Sequence, residues 1–426
     1  MSKRKYKVIY EYAYKLINFR NTTLLQKYNI DYQKYISYML IAYAFSFPIS
    51  KAATNLFEVL ALLLWIAEGN WREKLKLYTH NLLSLAILGL IGYSLISTLW
   101  HGNTTTTLNY IAKYRHLLII FVFYSSFDSK YMRHIISAFV LAMFVSEIFS
   151  YGIFFELIHY KNILPSDPSP FMSHMTYSTV LAFAISVLIV QLFYEKNLRY
   201  KFFYIFFTIS ATINLFINGG RTGQVIYIIL IIFILFSLVK NKLKALAGTA
   251  TILFFTFFLA YNFSNNFHER ANELQNDISN MVHKNDFTGS GSARVALNII
   301  GLQTIKDNLL LGTGIDYKMD SIEQYAKKFN FDVALMKNFA DYHSTFLTIS
   351  AQLGIVGIIL SLTLIIALFT FPIKNKEFNI LSKIFAITFV LFSLTHNTLH
   401  TMNPMIFFAL FAGYFNALQK NNYKDS

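Results

Sequence analysis

The chain has 426 residues, of which 55% are hydrophobic and 14% are charged, and its mean hydropathy is +0.44. In a soluble protein of this length about a quarter of all residues are charged, so the composition excludes an ordinary soluble enzyme. The absence of cysteine excludes disulfides and thiolate nucleophiles, and because the net charge of +15 follows a membrane-type loop pattern we predict no nucleic-acid partner.

Long apolar runs recur along the chain, as a bilayer about 30 Å thick requires of helices that rise 1.5 Å per residue. The runs fall at roughly 35–49, 52–67, 81–99, 108–127, 133–158, 173–194, 201–218, 221–239, 245–263, 344–371, 378–399 and 404–418. We therefore predict an all-α polytopic integral membrane protein with about 12 transmembrane helices. Because the first run follows a polar, basic start, we expect no cleavable signal peptide.

The lysines and arginines between the runs predict the topology. Residues up to Lys34 carry eight of them, and alternate short loops such as EGNWREKLK and KNKLK are basic, whereas HGNTTTT and LHTMN are poor in basic residues. Cytoplasmic loops are enriched in Lys and Arg, so both termini are expected in the cytoplasm. In a bacterium this is a multi-pass protein of the inner (cytoplasmic) membrane whose opposite face meets the periplasm.

The runs and loops divide the chain into five regions. They are a cytoplasmic basic N-terminus (1–34), transmembrane helices 1–9 (35–263), a large periplasmic loop (264–343), transmembrane helices 10–12 (344–418) and a cytoplasmic tail (419–426). The periplasmic loop has eight Lys/Arg against ten Asp/Glu, so it is nearly neutral.

Part of the large loop has the spacing of an amphipathic helix that would lie on the membrane face. The apolar residues of this spacing are Val295, Ile299, Leu302, Ile305 and Leu309. Ser290 or Ser292 is expected to cap the helix, and Asp307 with Asn308 is expected to close it. The segment LLLGTGIDY then predicts a glycine-bearing turn.

Three residues on the predicted outer side lie near helix N-termini, where unpaired N–H groups and the helix dipole favour anions. They are Arg221 in INGGRTGQ, Arg294 in SGSARVALN, and His343 in the first turn of the helix that begins at Ser344. Two guanidinium groups there suit a phosphate group. The alternatives are that the arginines reach lipid headgroups and that the histidine is an ordinary interfacial residue.

A second group of cations lies inside a predicted membrane helix, in the segment LNYIAKYRHLLIIF. Because charges at that depth are costly, Lys113, Arg115 and His116 are expected to face a polar cavity or an anionic ligand, or else to extend to the outer headgroups. Lys51 and His174 are weaker candidates of the same kind.

Other chemistry is not indicated by the sequence. The segment Gly312–Gly314 is not a phosphate-binding loop with its lysine, and the outer histidines lack the spacing of metal ligands, so we predict neither metal nor cofactor. Ser344 adjoins His343 in sequence, which is poor geometry for a nucleophile and its base, so it is interpreted as a helix cap.

The segments GSGSARVALNIIGLQTIKDNLLLGTG and YHSTFLTISAQLGIVGI resemble the bacterial O-antigen ligase family, whose superfamily includes O-antigen polymerases and protein O-oligosaccharyltransferases. The family pattern matches at Arg221, Arg294 and His343, at intervals of 73 and 49 residues, with Gly354 and Gly357 completing the last motif. The resemblance is best from about 217 to 358. Thr-Gly-Gln follows Arg221 where relatives often have small apolar residues, so only the arginine is carried over there.

The resemblance implies transfer of a glycan from undecaprenyl pyrophosphate to a hydroxyl of the lipid A–core oligosaccharide, on the periplasmic side and without metal or nucleotide sugar. The implied partners are this lipid-linked donor, the lipid A–core acceptor and membrane lipids. Arg221 and Arg294 would stabilise charge on the pyrophosphate, with Lys113 or Arg115 as helpers. Neutral His343 would accept the proton of the incoming hydroxyl. No carboxylate stands out as a nucleophile, which favours direct displacement with inversion.

Two kinds of alternative remain. A polymerase, whose acceptor is another lipid-linked repeat, and a protein O-oligosaccharyltransferase would use similar donor chemistry. A lipid or glycan transporter would need ionisable residues near the bilayer midplane, but the internal acids are few: Glu58, Glu147 and Glu156. The concentration of distinctive residues on one face favours an enzyme.

Overall fold

The computed structural model describes residues 30–100, 104–315, 319–339 and 341–420. The predicted cytoplasmic N-terminus and tail lie mostly outside these residues. Within them the chain forms α-helices, short 3-10 segments and connecting turns, and no strand. The prediction of an all-helical protein is confirmed.

Eighteen α-helices follow one another along the described chain. They are α1 (Tyr32–Ser46), α2 (Lys51–Glu68), α3 (Trp71–Thr79), α4 (Leu82–Ile96), α5 (Thr104–Ala112), α6 (Leu118–Ser126), α7 (Met132–Phe154), α8 (His174–Tyr194), α9 (Leu198–Ile217), α10 (Arg221–Leu238), α11 (Lys242–Phe263), α12 (Asn265–Lys284), α13 (Ser292–Asp307), α14 (Met319–Lys328), α15 (Val333–Lys337), α16 (Thr345–Phe369), α17 (Lys376–Thr395) and α18 (Met402–Gln419).

Several of these helices can cross a membrane, which makes the chain a multi-pass membrane protein. Within the described ranges, eight are long and apolar enough. The number rises to nine if α2 and α3, between which the chain bends by 111°, form one broken span. Each of the twelve predicted runs overlaps helical residues, but α1 has only 15 residues. The run at 108–127 is divided into α5, a 3-10 turn at Lys113–Leu117, and α6.

Helix α18 forms the centre of the bundle, where every residue from Asn403 to Gln419 is buried. The ring of its Phe411 lies 4.6 Å from that of Phe183 in α8 and 4.9 Å from that of Phe139 in α7, between centroids. Lipid tails are as apolar as these side chains, so close van der Waals and aromatic contacts must stabilise the helix in place. A helix that is apolar all round is accordingly surrounded by the others.

One end of the bundle, here called the site end, gathers the helix termini that matter for function. Helices α8, α10 and α16 begin there, and α9 and α17 end there. The hydroxyls of Thr222 in α10 and Thr395 in α17 are 3.5 Å apart. Ser344, which precedes α16, donates to the carbonyl of Ser393 in α17 at 3.2 Å. These contacts join the three helices at this end.

Helix α16 is broken at Gly354, whose backbone has φ +59° and ψ −140°. The glycine-bearing turn predicted after α13 docks into this break. The N–H of Thr313 donates to the carbonyl of Ala351, and that of Gly314 to Gln352, both at 2.9 Å, while the N–H of Ile355 donates to Leu309 at 2.7 Å. The turn therefore satisfies backbone groups that a break inside a membrane helix would otherwise leave unpaired.

Replacing Gly354 with alanine is expected to destabilise the fold. An added Cβ would lie 2.6 Å from the backbone N of Gly312 and 2.7 Å from the carbonyl oxygens of Leu309 and Leu310. The backbone conformation alone would then cost about 1–3 kcal/mol. We expect a lower yield of folded protein and a lower unfolding midpoint in detergent. Gly92→Ala is the control, because nothing lies within 4 Å of its added Cβ, and equal behaviour of the two variants would contradict this account.

The segment between α11 and α16 has a small core of its own, formed by α13, α14, α15 and the start of α16. Its buried residues include Ala293, Ala296, Leu297, Ile300, Met336 and Tyr342. The ends of α13 agree in part with prediction: Asn308 closes it, but the N-cap is Gly291 and Ser292 is the first helical residue. The predicted apolar stripe is not the buried face, because Val295, Leu302 and Leu309 are exposed. Small residues on the opposite side allow the closer packing.

Candidate active site

The turn before Arg221 is fixed by close packing against α8. A Cβ on Gly220 would lie 2.0 Å from Oγ of Ser178, so only glycine fits there. The N–H of Gly219 donates to Oδ1 of Asp167 at 3.1 Å, and Oδ2 of that carboxylate lies 3.1 Å from Nδ1 of His174. This arrangement makes Arg221 the first residue of α10, as predicted, and brings His174 to the same turn.

Asp167 is therefore the residue that organises this turn. Burial alone would raise the pKa of its carboxyl, but hydrogen bonds from His174, Gly219 and Ser169 lower the pKa below the usual value. The carboxylate stays ionised and keeps the turn and His174 together. Sequence reasoning missed Asp167, although it lies only seven residues before His174 in a proline-rich loop.

Arg294 comes close to Arg221 although 73 residues separate them. It is the third residue of α13, and its guanidinium donates to the sulfur of Met175 at 3.2 Å. Burial and the positive charge of Arg221 both lower the pKa of Arg294. Arg221 also pairs closely with Glu273 of α12. Arg294, beside a soft, neutral sulfur, is therefore the guanidinium that an anion would stabilise, whereas Arg221 already has a carboxylate partner.

We expected His343 in the first turn of α16, but the residue lies immediately before this helix. Its φ is +50°, and Ser344 is the N-cap of the helix, which confirms the interpretation of that serine. The N–H of His343 donates to Oδ1 of Asp341 at 2.8 Å, and Oδ2 of the same carboxylate accepts from Asn397 at 3.2 Å. The ring packs edge-on against Phe339, with 5.2 Å between centroids. The left-handed backbone thus turns the ring away from the helix.

The environment of His343 favours the neutral imidazole. Burial lowers its pKa, and of the two nearby charges Asp341 raises the pKa whereas Arg294 lowers it, leaving it below the usual 6.5. Its Nδ1 is buried with no hydrogen-bond partner among the described residues. A neutral ring with an unused nitrogen can accept a proton from a hydroxyl brought next to it.

The loop after α17 brings a second histidine to the site. The ring of His396 lies 6.3 Å from that of His343 between centroids and stacks on Phe392 at 5.3 Å. Its carbonyl accepts from the hydroxyl of Thr345 at 2.9 Å. Sequence reasoning placed His396 inside the apolar run at 378–399, whereas α17 ends at Thr395.

The second group of candidates, Lys113, Arg115 and His116, does not stay together in the structure. Nζ of Lys113 lies 3.2 Å from Nε2 of His400, and the ring of His400 stacks on Tyr110 at 4.0 Å. Tyr110 in turn donates to Oε1 of Gln352 in α16 at 3.1 Å. Since His400 and His396 share one loop, Lys113 is linked to the site end.

Arg115 and His116 point elsewhere, to a buried carboxylate. Nδ1 of His116 is 2.5 Å from Oε2 of Glu58, and Nε of Arg115 is 3.9 Å from Oε1. An internal carboxylate, not a ligand, therefore contacts both side chains. Lys51 is exposed at the start of α2, and no described contact connects it with Arg221, Arg294 or His343. In the parts of the chain that the structure describes, no three acidic or histidine side chains are grouped as metal ligands.

The fold and site define a class: a multi-pass helical membrane protein with an arginine pair and a neutral histidine at one end of its bundle. Residues 203–362 match the family model described as O-antigen ligase. That stretch contains Arg221, Arg294, His343 and Gly354, so the resemblance of this chain to the O-antigen ligase family is confirmed. Members of the family are glycosyltransferase-like enzymes. No curated protein sequence matches the chain significantly.

Proposed function

We propose that this chain is an O-antigen ligase, a glycosyltransferase that moves a glycan from undecaprenyl pyrophosphate to a hydroxyl of the lipid A–core oligosaccharide. The observation that carries the proposal is the proximity of Arg221, Arg294 and His343 at one end of the bundle, within the segment that matches the family. Both substrates would be lipids whose reactive sugars lie just above the membrane surface, and the proposal puts these side chains at that level.

The arginine pair would bind the pyrophosphate. As the bond from the anomeric carbon to the phosphate oxygen breaks, negative charge increases on the leaving pyrophosphate. Arg221 and Arg294 are held in place before the reaction, so they can stabilise this charge more strongly in the transition state than in the bound donor. Lys113, positioned through His400, is the candidate for an additional contact with the phosphates.

His343 would act on the acceptor. The acceptor oxygen forms the new bond to the anomeric carbon while its proton passes to the unpaired Nδ1 of the neutral imidazole. The electron pair of the broken bond leaves with the pyrophosphate. No carboxylate is needed as a covalent nucleophile in this scheme, and a single displacement inverts the anomeric configuration.

We place the site end on the periplasmic side, with both termini in the cytoplasm and about 12 crossings of the inner membrane. The basic loops at the opposite end support this orientation, since Lys196, Lys240 and Lys374 all lie between helices there. Residues 264–343 would then form the periplasmic loop, and its α12 and α13 supply Glu273 and Arg294 to the site.

The rate of transfer is expected to fall in acid with a midpoint below pH 6.5, because the pKa of His343 is lowered and only the neutral ring accepts a proton. Activity is therefore present above that pKa and is lost as the pH falls through it. Asp341 raises the pKa, so Asp341→Asn should move the acid limb to lower pH, while its amide oxygen still accepts the N–H of His343. The measurement is a kcat–pH profile of both proteins. A shift to higher pH would contradict the assignment.

The proposal is tested by deleting the gene in its host and separating extracted lipopolysaccharide on a gel, with the wild-type gene restored as control. A ligase predicts bare lipid A–core and polymerised glycan retained on its lipid carrier. Absence of polymer, with single repeats remaining, would instead identify a polymerase. Loss of a glycoprotein with an unchanged ladder would identify a protein glycosyltransferase. Loss of lipid-linked glycan from the outer face of the membrane would identify a transporter.

A further inference from the structure

His396 is a half-buried histidine at the site end that the scheme above does not use. It lies after residue 362, outside the segment that matches the family. Neither Nδ1 nor Nε2 of its ring has a hydrogen-bond partner among the described residues, although both atoms are buried. Burying a polar group without a partner is unfavourable, so two such atoms next to the proposed catalytic histidine point to a partner that a ligand would supply.

The ring is held firmly and faces His343. Phe392 stacks on it with an angle of 11° between the planes, and Thr345 fixes its backbone carbonyl. The next residue, Asn397, donates to Asp341, and Asp341 accepts the N–H of His343. The segments that carry the two histidines are thus connected through one carboxylate, and the ring centroids are 6.3 Å apart.

The charge state of His396 decides which part of a substrate suits it. Burial lowers its pKa to about 4; Asp341 opposes the shift, whereas His343 and Arg294 add to it. The ring is therefore neutral at ordinary pH and adds no positive charge for a pyrophosphate. A neutral imidazole offers one donor and one acceptor, which is the pattern that a sugar hydroxyl satisfies.

We propose that His396 binds a hydroxyl of the acceptor sugar and thereby positions the neighbouring, reacting hydroxyl against His343. This inference rests on the proposed function and extends it to the acceptor. With their centroids 6.3 Å apart, the two rings are close enough to contact neighbouring hydroxyls of one sugar ring, one at each histidine. The donor is held by the arginines, so His396 acts on acceptor binding and not on departure of the pyrophosphate.

The test compares His396→Phe with wild type, using the full-length chain purified in detergent. The donor is undecaprenyl-pyrophosphate-linked glycan, and the acceptor is lipid A–core, both extracted from the deletion strain. Phenylalanine keeps the ring and its stacking on Phe392 but removes both nitrogens. We expect the KM for lipid A–core to rise about tenfold or more, with the KM for donor changed less than about twofold. His134→Phe, an exposed histidine at the opposite end, is the matched control and should leave both constants unchanged.

The unfolding midpoint distinguishes a role of His396 in acceptor binding from a purely structural role. His396→Phe leaves no unpaired buried nitrogen, so its unfolding midpoint should equal or exceed that of wild type. An unchanged KM for lipid A–core would overturn the inference, whatever the midpoint. If His396→Phe does not fold, His396→Gln, which keeps one donor and one acceptor, decides in the same way and should raise that KM less.

A binding measurement distinguishes failure of the inference from failure of the proposed function. Lipid A–core alone should raise the unfolding midpoint of wild type and not that of His396→Phe. If lipid A–core stabilises wild type and not His396→Phe, but wild type transfers no glycan, the ligase function is overturned and the acceptor site is supported. If wild type transfers glycan and both proteins bind lipid A–core equally, only the inference is overturned.

Discussion

Replacing His343 with asparagine is expected to lower the kcat of glycan transfer by about 10²–10⁴-fold, the usual contribution of a general base. Asparagine is chosen because it tolerates the left-handed backbone, with φ +50°, better than other residues. The variant therefore keeps the turn before α16 and the hydrogen bond to Asp341, and it loses only the basic nitrogen. The measurement is kcat with saturating donor and acceptor.

The matched control is His134→Asn, which changes an exposed histidine near the start of α7, at the end of the bundle opposite the site. It should transfer glycan at the wild-type rate. Both variants should unfold at the wild-type midpoint in detergent. If His343→Asn retained kcat within about threefold of wild type, which is less than about 0.7 kcal/mol of barrier, His343 would not be the base.

Arg294→Met is expected to lower kcat by about 10²–10³-fold, as removal of one preorganised group that stabilises developing charge commonly does. Methionine keeps an unbranched side chain beside Met175 but provides neither charge nor donors. The kcat of Arg294→Lys should fall between those of wild type and Arg294→Met, because a lysine keeps the charge but cannot bind phosphate oxygens with a planar fork. The measurements are kcat and the kcat/KM for the donor in wild type, Arg294→Met and Arg294→Lys.

Stability again provides the check on Arg294. Burial and repulsion from Arg221 both lower the pKa of Arg294, so removing this charge should not lower the unfolding midpoint of the ligand-free protein. Arg199→Met, an exposed arginine in the first turn of α9 at the opposite end, is the matched control. Equal donor kcat/KM in Arg294→Met and Arg199→Met would contradict a role of Arg294 in binding the pyrophosphate.

The helices could be predicted because a membrane imposes a simple rule on the sequence. A crossing helix needs a long apolar run, and its ends are marked by polar and small residues that are local in the chain. For the same reason the first-turn positions of Arg221 and Arg294 and the cap at Ser344 were all predicted correctly. These features depend on residues within a few positions of each other.

Features that depend on contacts between distant segments could not be predicted in this way. The break at Gly354 is stabilised by a turn about 40 residues earlier, and an uninterrupted apolar run gives no sign of it. Glu58 in α2 contacts Arg115 and His116 in the 3-10 turn before α6, so a site that looked suited to a ligand is occupied by a carboxylate. His396 was missed because hydropathy extends α17 beyond its true end.

The pairing of the chain's own charges also limited the prediction of the site. Asp341 lies two residues before His343, and that short spacing was the available signal for its role. Glu273 and Asp167 contact Arg221 and His174 only after the chain has folded. Residue type and spacing therefore identified the cations, and the fold was needed to find the acids that position them.

The most direct test of the account uses purified protein, extracted lipid-linked glycan and lipid A–core, with mass spectrometry of the products. We expect wild type to form glycosylated lipid A–core and to release undecaprenyl pyrophosphate in equal amounts. The variant that combines His343→Asn with Arg294→Met should form neither. If wild type and the double variant formed the product at equal rates, the proposed roles of His343 and Arg294 would be wrong. If folded wild type formed no product, the ligase function would be wrong.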